Sequence, residues 1–384
     1  MDYKEKRCPK TGRLISREQV KSGEGRTNSS SGPLQSNAGI TRRTFIAGSV
    51  AAVTSYSLSA CGGKTLTGKP LPKPTAAQAA RKRKTPSIVA LVPCQSYEDD
   101  PMADLKKFAK QLNLPDLRGK TVLLKPNMVE FHPGRPVTTN PFALKAAFEL
   151  VDYLGAKNII IGEGPGHMRD TEFLLEATGL GRMCNKLGTQ FVDLNLDELE
   201  ALDVKDGFSG LTQFFLPRTL MNADFVVSVP KMKTHHWVGM TASMKNFFGA
   251  VPGRKYGWPK NLLHIRGIPQ CILDLQDLIK PRLALVDAVV AMEGDGPIMG
   301  TAKEMGFLVL GDDLAAVDAT CARTMGYDPF ELEYLRVAGQ VVGNINTDAI
   351  TVLGLELDKV KKNFQLPVTF KNKKLLEQAS NQAS

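Results

Sequence analysis

The sequence predicts an α/β fold, with parallel or mixed sheets carrying helices on both faces, in one or two lobes. Three observations carry that expectation. From residue 87 onward, short apolar runs alternate with amphipathic stretches of helical period. Gly- and Pro-rich connections separate them. The histidines fall at the ends of the runs or in those connections, not on apolar helix faces. Strand–helix–strand alternation is the pattern of a parallel sheet covered on both sides, and ligands bind such sheets beyond the carboxyl ends of the strands.

In order along the chain, Ser87–Val92, Thr121–Leu124, Asn158–Gly162 and Gln190–Leu194 read as strands, and Asp104–Leu112, Pro141–Leu154 and Asp170–Leu187 as helices. The second helix is the best marked. Asn140 can cap it, Pro141 takes the first helical position, Gly155 stops it, and Leu144, Phe148, Val151 and Leu154 make one apolar face. A further set follows: strand Asp224–Val229, helix Ile268–Ile279, strands Arg282–Val290 and Glu304–Leu310, helix Leu314–Met325 and a strand at Ala349–Leu353. The tail beyond Pro367 is polar and reads as frayed.

Charge divides the 384-residue chain, whose net charge is +10. Residues 1–85 hold 17 Lys and Arg against 4 Asp and Glu, a net +13, so the remainder carries −3. A nucleic-acid-binding body would carry its own positive field; this one does not, and no nucleic-acid partner is expected. Within residues 1–60, a long polar leader precedes Arg42-Arg43, and the apolar run Phe45–Ala60 ends at Ser59-Ala60-Cys61. A twin arginine before a short apolar run is the signature of Tat export, with Arg42 and Arg43 read by the Tat translocase. The residues around Cys61 resemble a lipobox, which implies a lipid on Cys61 and a membrane-anchored location on the periplasmic side of the cytoplasmic membrane or on the outer membrane. Residues 61–85 read as a linker of prolines and basic residues. Its run Arg81-Lys82-Arg83-Lys84 suits either an anionic bilayer or plain solvation. The main α/β domain is expected over 86–335, with 336–384 as an extension.

The remaining cysteines, 94, 184, 271 and 321, are far apart, without any C-x-x-C. Neither an iron–sulfur cluster nor a zinc ribbon fits that spacing, and buried free thiols are expected.

Four segments carry candidate chemistry. Lys125-Pro126-Asn127 follows a strand and precedes the capped helix, and either presents a cation and an amide to an anion or forms a turn and cap. Gly162-Glu163-Gly164-Pro165-Gly166-His167 departs from the dinucleotide fingerprint, but Gly164 and Gly166 allow close approach of a ligand and His167 can serve as acid or base. Lys231-Met232-Lys233-Thr234-His235-His236, running on to Ser243-Met244-Lys245-Asn246, mixes cations with apolar residues. Buried cations need an anionic ligand or a carboxylate partner, so a site is favoured there over a structural loop. Glu293 and Asp295, in Met292-Glu293-Gly294-Asp295-Gly296-Pro297, either hold a cation weakly or pair with those lysines.

Lys125-Pro126-Asn127, Val229-Pro230-Lys231-Met232-Lys233-Thr234-His235, Met244-Lys245-Asn246 and the segment 292–297 together resemble the hallmarks of the family called domain of unknown function 362. More distantly, Gly166/His167, Ala223-Asp224, His235/Gly239, Lys245 and Pro252-Gly253 resemble the N-terminal domain of nickel-dependent lactate racemase. That resemblance implies a nickel-pincer nucleotide attached to Lys245, His167 and His235 as the acid/base pair, and His264 as a nickel ligand. Ser243-Met244 stand before Lys245 where the racemase pattern has glycines. The resulting expectation is an exported lipoprotein acting on a small anionic molecule as a racemase, epimerase or oxidoreductase. The alternatives are a non-catalytic binder of an anionic or metal-bearing solute and a structural envelope protein.

Overall fold

The structure is a computed structural model that describes residues 70–166 and 170–370. Arg42, Arg43, Cys61 and His167 lie outside the described residues. The described residues belong to one compact unit, not two lobes. Among them no helix is long and apolar enough to cross a membrane.

The elements are α1 (Ala76–Ala80), β1 (Ser87–Pro93), α2 (Met102–Ala109), β2 (Thr121–Pro126), α3 (Pro141–Tyr153), β3 (Asn158–Glu163), α4 (Thr171–Thr178), α5 (Leu180–Leu187), β4 (Phe191–Asp193), β5 (Leu199–Asp203), β6 (Gln213–Pro217), β7 (Phe225–Val229), β8 (Lys231–His235), β9 (Gly239–Thr241), α6 (Asn261–Arg266), α7 (Ile268–Ile279), β10 (Leu283–Glu293), β11 (Thr301–Gly311), α8 (Leu314–Thr324), α9 (Glu333–Val341) and β12 (Ile350–Gly354). A ten-stranded sheet runs in the order β12-β1-β11-β10-β7-β2-β3-β4, with β8 and β9 attached beside β10. The pairs from β10 through β7, β2 and β3 to β4 are parallel, whereas β11 runs antiparallel to both β1 and β10. The sheet is therefore mixed.

Alternation along the strands builds two cores. In β1, Val89 and Leu91 enter one apolar cluster and Ala90 and Val92 the other, as a period of two requires when both faces are covered. Helix α3 starts as expected: the Asn140 side chain accepts from Phe142 N at 2.9 Å and Pro141 follows. The single helix expected over Asp170–Leu187 is instead two, because Gly179 adopts φ 78° and turns the chain between α4 and α5. The β5–β6 hairpin and α9 were not anticipated. Leu199–Asp203 lacks clean apolar alternation, and its exposed face is charged.

Residues 70–85, expected as a linker, lie docked on the body. Leu71 N donates to Glu333 at 2.8 Å, Gln78 Nε2 donates to Asp206 O at 2.6 Å, Arg81 pairs with Asp277 at 2.8 Å and Arg83 with Asp312 at 2.9 Å. Alternate members of the basic run are thus held by carboxylates of the body. The chain past 335, expected as an extension, adds β12 beside β1 in parallel. The four body cysteines are buried free thiols, as expected.

Candidate functional site

Because β2, β3, β7 and β10 run parallel, their carboxyl ends share one edge of the sheet. A cavity of about 320 Å³ opens there, near the lower end of the roughly 300–1,000 Å³ usual for small-molecule sites. Of the residues singled out in the sequence, Asn127, Gly166, Lys233, His235, Lys245 and His264 line it.

Strand β8 explains the buried lysines. The segment read as a loop is a strand whose five residues are all buried, paired in parallel with β10. With a period of two, Lys231, Lys233 and His235 share one face, and Met232 and Thr234 the other. Met232 joins the apolar core, while Thr234 donates to Gly294 O at 2.8 Å.

The cations along this face differ in their partners. Lys231 Nζ donates to Asp287 at 2.5 Å, to Tyr97 Oη at 2.7 Å and to Val290 O at 3.1 Å. Lys233 Nζ donates to Val137 O at 2.7 Å and meets no carboxylate among the described residues. Burial, followed by the charges of Lys245 and Lys231, pushes its pKa well down. Lys245, half-buried at the start of a 3-10 turn over Lys245–Ala250, has no ion pair or hydrogen bond among the described residues. Its Nζ lies 4.0 Å from the Phe248 ring centroid. Burial and the Lys125 charge lower its pKa to about 7.

Lys125 is fully buried behind the cavity wall, not in it. Its ammonium forms a short ion pair with Glu163 and donates to Pro126 O at 2.9 Å. Burial pushes Lys125 down and Glu163 up, and each one's opposite charge resists. Glu163 had been passed over in the sequence, although it stands within the Gly-rich segment. Gly249 makes the pair possible, since a Cβ there would run into Glu163 Oε1 and Lys125 Nζ. Gly164 does not line the cavity; its N donates to Gly249 O at 3.0 Å, and a Cβ would sit 2.7 Å from that oxygen.

Lys260 was missed as well. It has φ 72°, is 3% exposed, and donates to Gly164 O at 3.1 Å, Asn195 Oδ1 at 3.0 Å and Val251 O. It ties the Gly-rich loop to the far wall, and burial lowers its pKa to about 7. It follows Trp258-Pro259 in a stretch without periodicity, where no local pattern marks it.

His235 is 4% exposed, and its Nδ1 accepts from Trp237 N at 3.1 Å. The neutral ring therefore carries its proton on Nε2. Burial, then the Lys245 charge, pushes its pKa well down. His264 sits in helix α6, not in a loop, with Nδ1 3.0 Å from Lys260 O. Behind Lys245, Asp318 of α8 accepts from Ser243 N at 2.7 Å, Ser243 Oγ at 2.5 Å and Tyr334 Oη at 3.0 Å, fixing the segment that leads to the amine. Burial raises its pKa to about 6 against those donors.

Glu293 and Asp295 neither line the cavity nor pair with Lys231 or Lys233. Glu293 pairs with Lys303 at 3.0 Å and accepts from Gln365 N, and Asp295 accepts from Val368 N at 2.7 Å. Both hold the C-terminal segment in place. Among the described residues no group of three or more His, Cys, Asp or Glu side chains is arranged to hold a metal ion.

A family model described as domain of unknown function (DUF362) matches residues 122–323, more than half of the chain. The thylakoid-associated protein sll1697 of Synechocystis sp. is 28% identical over 298 residues, covering 73% of this chain and 87% of that protein. The lactate racemase apoprotein of Thermoanaerobacterium thermosaccharolyticum aligns with a TM-score of 0.33 at 14% identity, covering 65% of this chain and 61% of that one. The chain belongs to the DUF362 family.

Proposed function

We propose that this DUF362 protein takes a small anionic molecule into the cavity and acts on it by proton transfer, as a racemase, epimerase or oxidoreductase. One observation carries the reading. Lys233 and Lys245 line one cavity, and among the described residues neither has a carboxylate partner; Glu163, which also lines it, is already paired with Lys125. Two desolvated, mutually repelling cations are costly in an otherwise closed site, and an anion relieves that cost.

The chemistry follows from protonation states. With a pKa of about 7, the Lys245 amine is partly neutral near neutral pH and can accept a proton. His235 presents its Nε2–H as a donor, suited to hold negative charge as it develops on the substrate. His167, the other residue of the acid/base pair implied by the resemblance, directly follows in sequence Gly166, which lines the cavity, and itself lies outside the described residues.

The nickel-pincer nucleotide implied by that resemblance fits the donors in kind. Lys245 offers an unpaired amine for attachment, and His264, which lines the same cavity, would be the histidine ligand that the resemblance implies. Such a group, when bound, would supply a metal centre able to accept a hydride. Attachment would consume the Lys245 amine, so the proton-accepting role of Lys245 Nζ belongs to the protein without that group; in either form the chain's own part is to bind the anion on Lys233 and to orient it against His235.

Delivery is proposed to run through Arg42-Arg43 and a lipid on Cys61, and the thylakoid association stated for the Synechocystis relative supports a membrane-associated location. Loss of membrane association in Cys61→Ser, followed by fractionation, tests the anchor.

Deuterium wash-in tests the catalytic reading. Carboxylic acids incubated with the purified protein in D2O are followed by proton NMR. Exchange at the carbon next to the carboxylate, absent in Lys245→Met, is the expected result. Binding without exchange in protein from a host that makes the cofactor would leave the non-catalytic binder, and no binding at all would overturn both readings.

A further inference from the structure

One wall of the cavity is aromatic, which its charge does not require. The His264 ring meets Trp237 edge-to-face at 4.9 Å between centroids and Phe248 at 5.9 Å. His236 packs edge-on against Trp237 at 4.6 Å. The four rings form one continuous surface, and it ends at the unpaired Lys245 Nζ, 4.0 Å from the Phe248 centroid. An inorganic anion would satisfy the lysines and leave this surface uncovered.

Two polar atoms in the same lining are also unpartnered. Asn127 Oδ1 and Thr241 Oγ1 are buried without a hydrogen-bond partner, on residues 7% and 3% exposed. A buried polar atom left unsatisfied costs about 1–3 kcal/mol, and Asn127 Oδ1, an acceptor, asks for a donor from whatever fills the cavity. Neighbouring groups do not supply it, because Lys233, Lys260 and Asn246 direct their donors elsewhere.

We propose that the ligand is a carboxylic acid bearing an aromatic ring and a hydroxyl or amino donor, for which the naphthoates below are non-reacting mimics. Its carboxylate meets Lys233 and Lys245, its ring lies along the Trp237–His264–Phe248 surface, and its donor reaches Asn127 Oδ1. The inference rests on the anion-binding reading above and narrows it. Ring burial against aromatic side chains adds about 0.5–1.5 kcal/mol per pair beyond the area buried, so the body of the ligand, as well as its charge, is selected.

Titration calorimetry on the full chain provides the test, with 2-naphthoate, 6-hydroxy-2-naphthoate, acetate and inorganic phosphate as probes. Both naphthoates are expected to bind at least about tenfold more tightly than acetate or phosphate. Trp237→Leu and, independently, Phe248→Leu should remove most of that preference, read as the ratio of naphthoate to acetate affinity within each variant. The hydroxyl should add about fivefold, and Asn127→Ala should abolish that increment. Acetate or phosphate binding as tightly as the naphthoates would overturn the aromatic assignment while the anion reading stands. A naphthoate preference that survives both wall variants would also overturn it. Binding of none of the four probes would overturn the anion reading itself.

Discussion

Lys231 and Lys233 stand two residues apart on β8, on the same face and equally buried, yet they lie in opposite electrostatic settings. Lys231 closes a network with Asp287, Tyr97 and Val290 O, and Asp287 in turn accepts from Asn140 N at 2.9 Å, joining the start of α3 to β10. Lys233 has a single carbonyl, and beyond it Lys245 has neither hydrogen bond nor ion pair among the described residues. Burial alone therefore does not mark a functional cation. The first centre is complete without a ligand and holds the fold; the second lacks a counter-charge among the described residues, which the proposed anion would supply.

The closed centre is the place to look for the largest stability effect. Asp287→Ala leaves Lys231 buried without its charge partner, and a loss of about 3–5 kcal/mol is expected in urea unfolding. An unchanged midpoint would mean that Lys231 finds water or another acceptor.

Lys245→Met should act in the opposite sense. Anion affinity is expected to fall by about a hundredfold or more, about 2.7 kcal/mol, while stability without ligand holds or rises. A Lys245→Met protein that unfolds more easily than wild type would show that the amine has a structural partner after all.

The pH dependence sharpens the same contrast. The folded pKa of Lys245 is lowered to about 7 from an ordinary 10.5, so between those values the unfolded chain holds more protons than the folded one. Stability contributed through Lys245 is therefore fully present above about 10.5 and is lost as pH falls toward 7. Anion binding runs the other way, weakening as pH rises through about 7, with protons taken up on binding. Calorimetry in buffers of different ionisation enthalpy measures that uptake, and Lys245→Met should reduce it.

Gly249→Ala is expected to cost about 1–3 kcal/mol, because the new methyl meets the Lys125–Glu163 pair. The smallest effect belongs to the docked N-terminal segment. Arg81→Ala removes a partly exposed ion pair with Asp277 and should cost no more than about 1 kcal/mol in thermal unfolding.

Much of the scaffold was legible in advance. Asn140-Pro141 marked the start of α3, and the apolar run at Ile268 marked α7, because capping and periodicity are local. The break at Gly179 was hidden inside a continuous periodic pattern. At the site, the Lys-x-Lys-x-His run announced cations that needed partners, and six of the residues singled out do meet in one cavity. Glu163, Lys260 and Asp318 escaped because what defines each is a contact made far along the chain.

The sequence by itself determined the alternation of strands and helices, the caps, the edge of the sheet that would bear the site, and the residue types available there. Only the tertiary structure decided which cation is neutralised. Asp287 reaches Lys231 across 56 residues and Glu163 reaches Lys125 across 38, by way of a strand pairing that places β10 beside β8 and β2 beside β3. Neutralising a charge requires atoms within a few ångströms, and that distance is fixed by strand pairing and not by spacing along the chain.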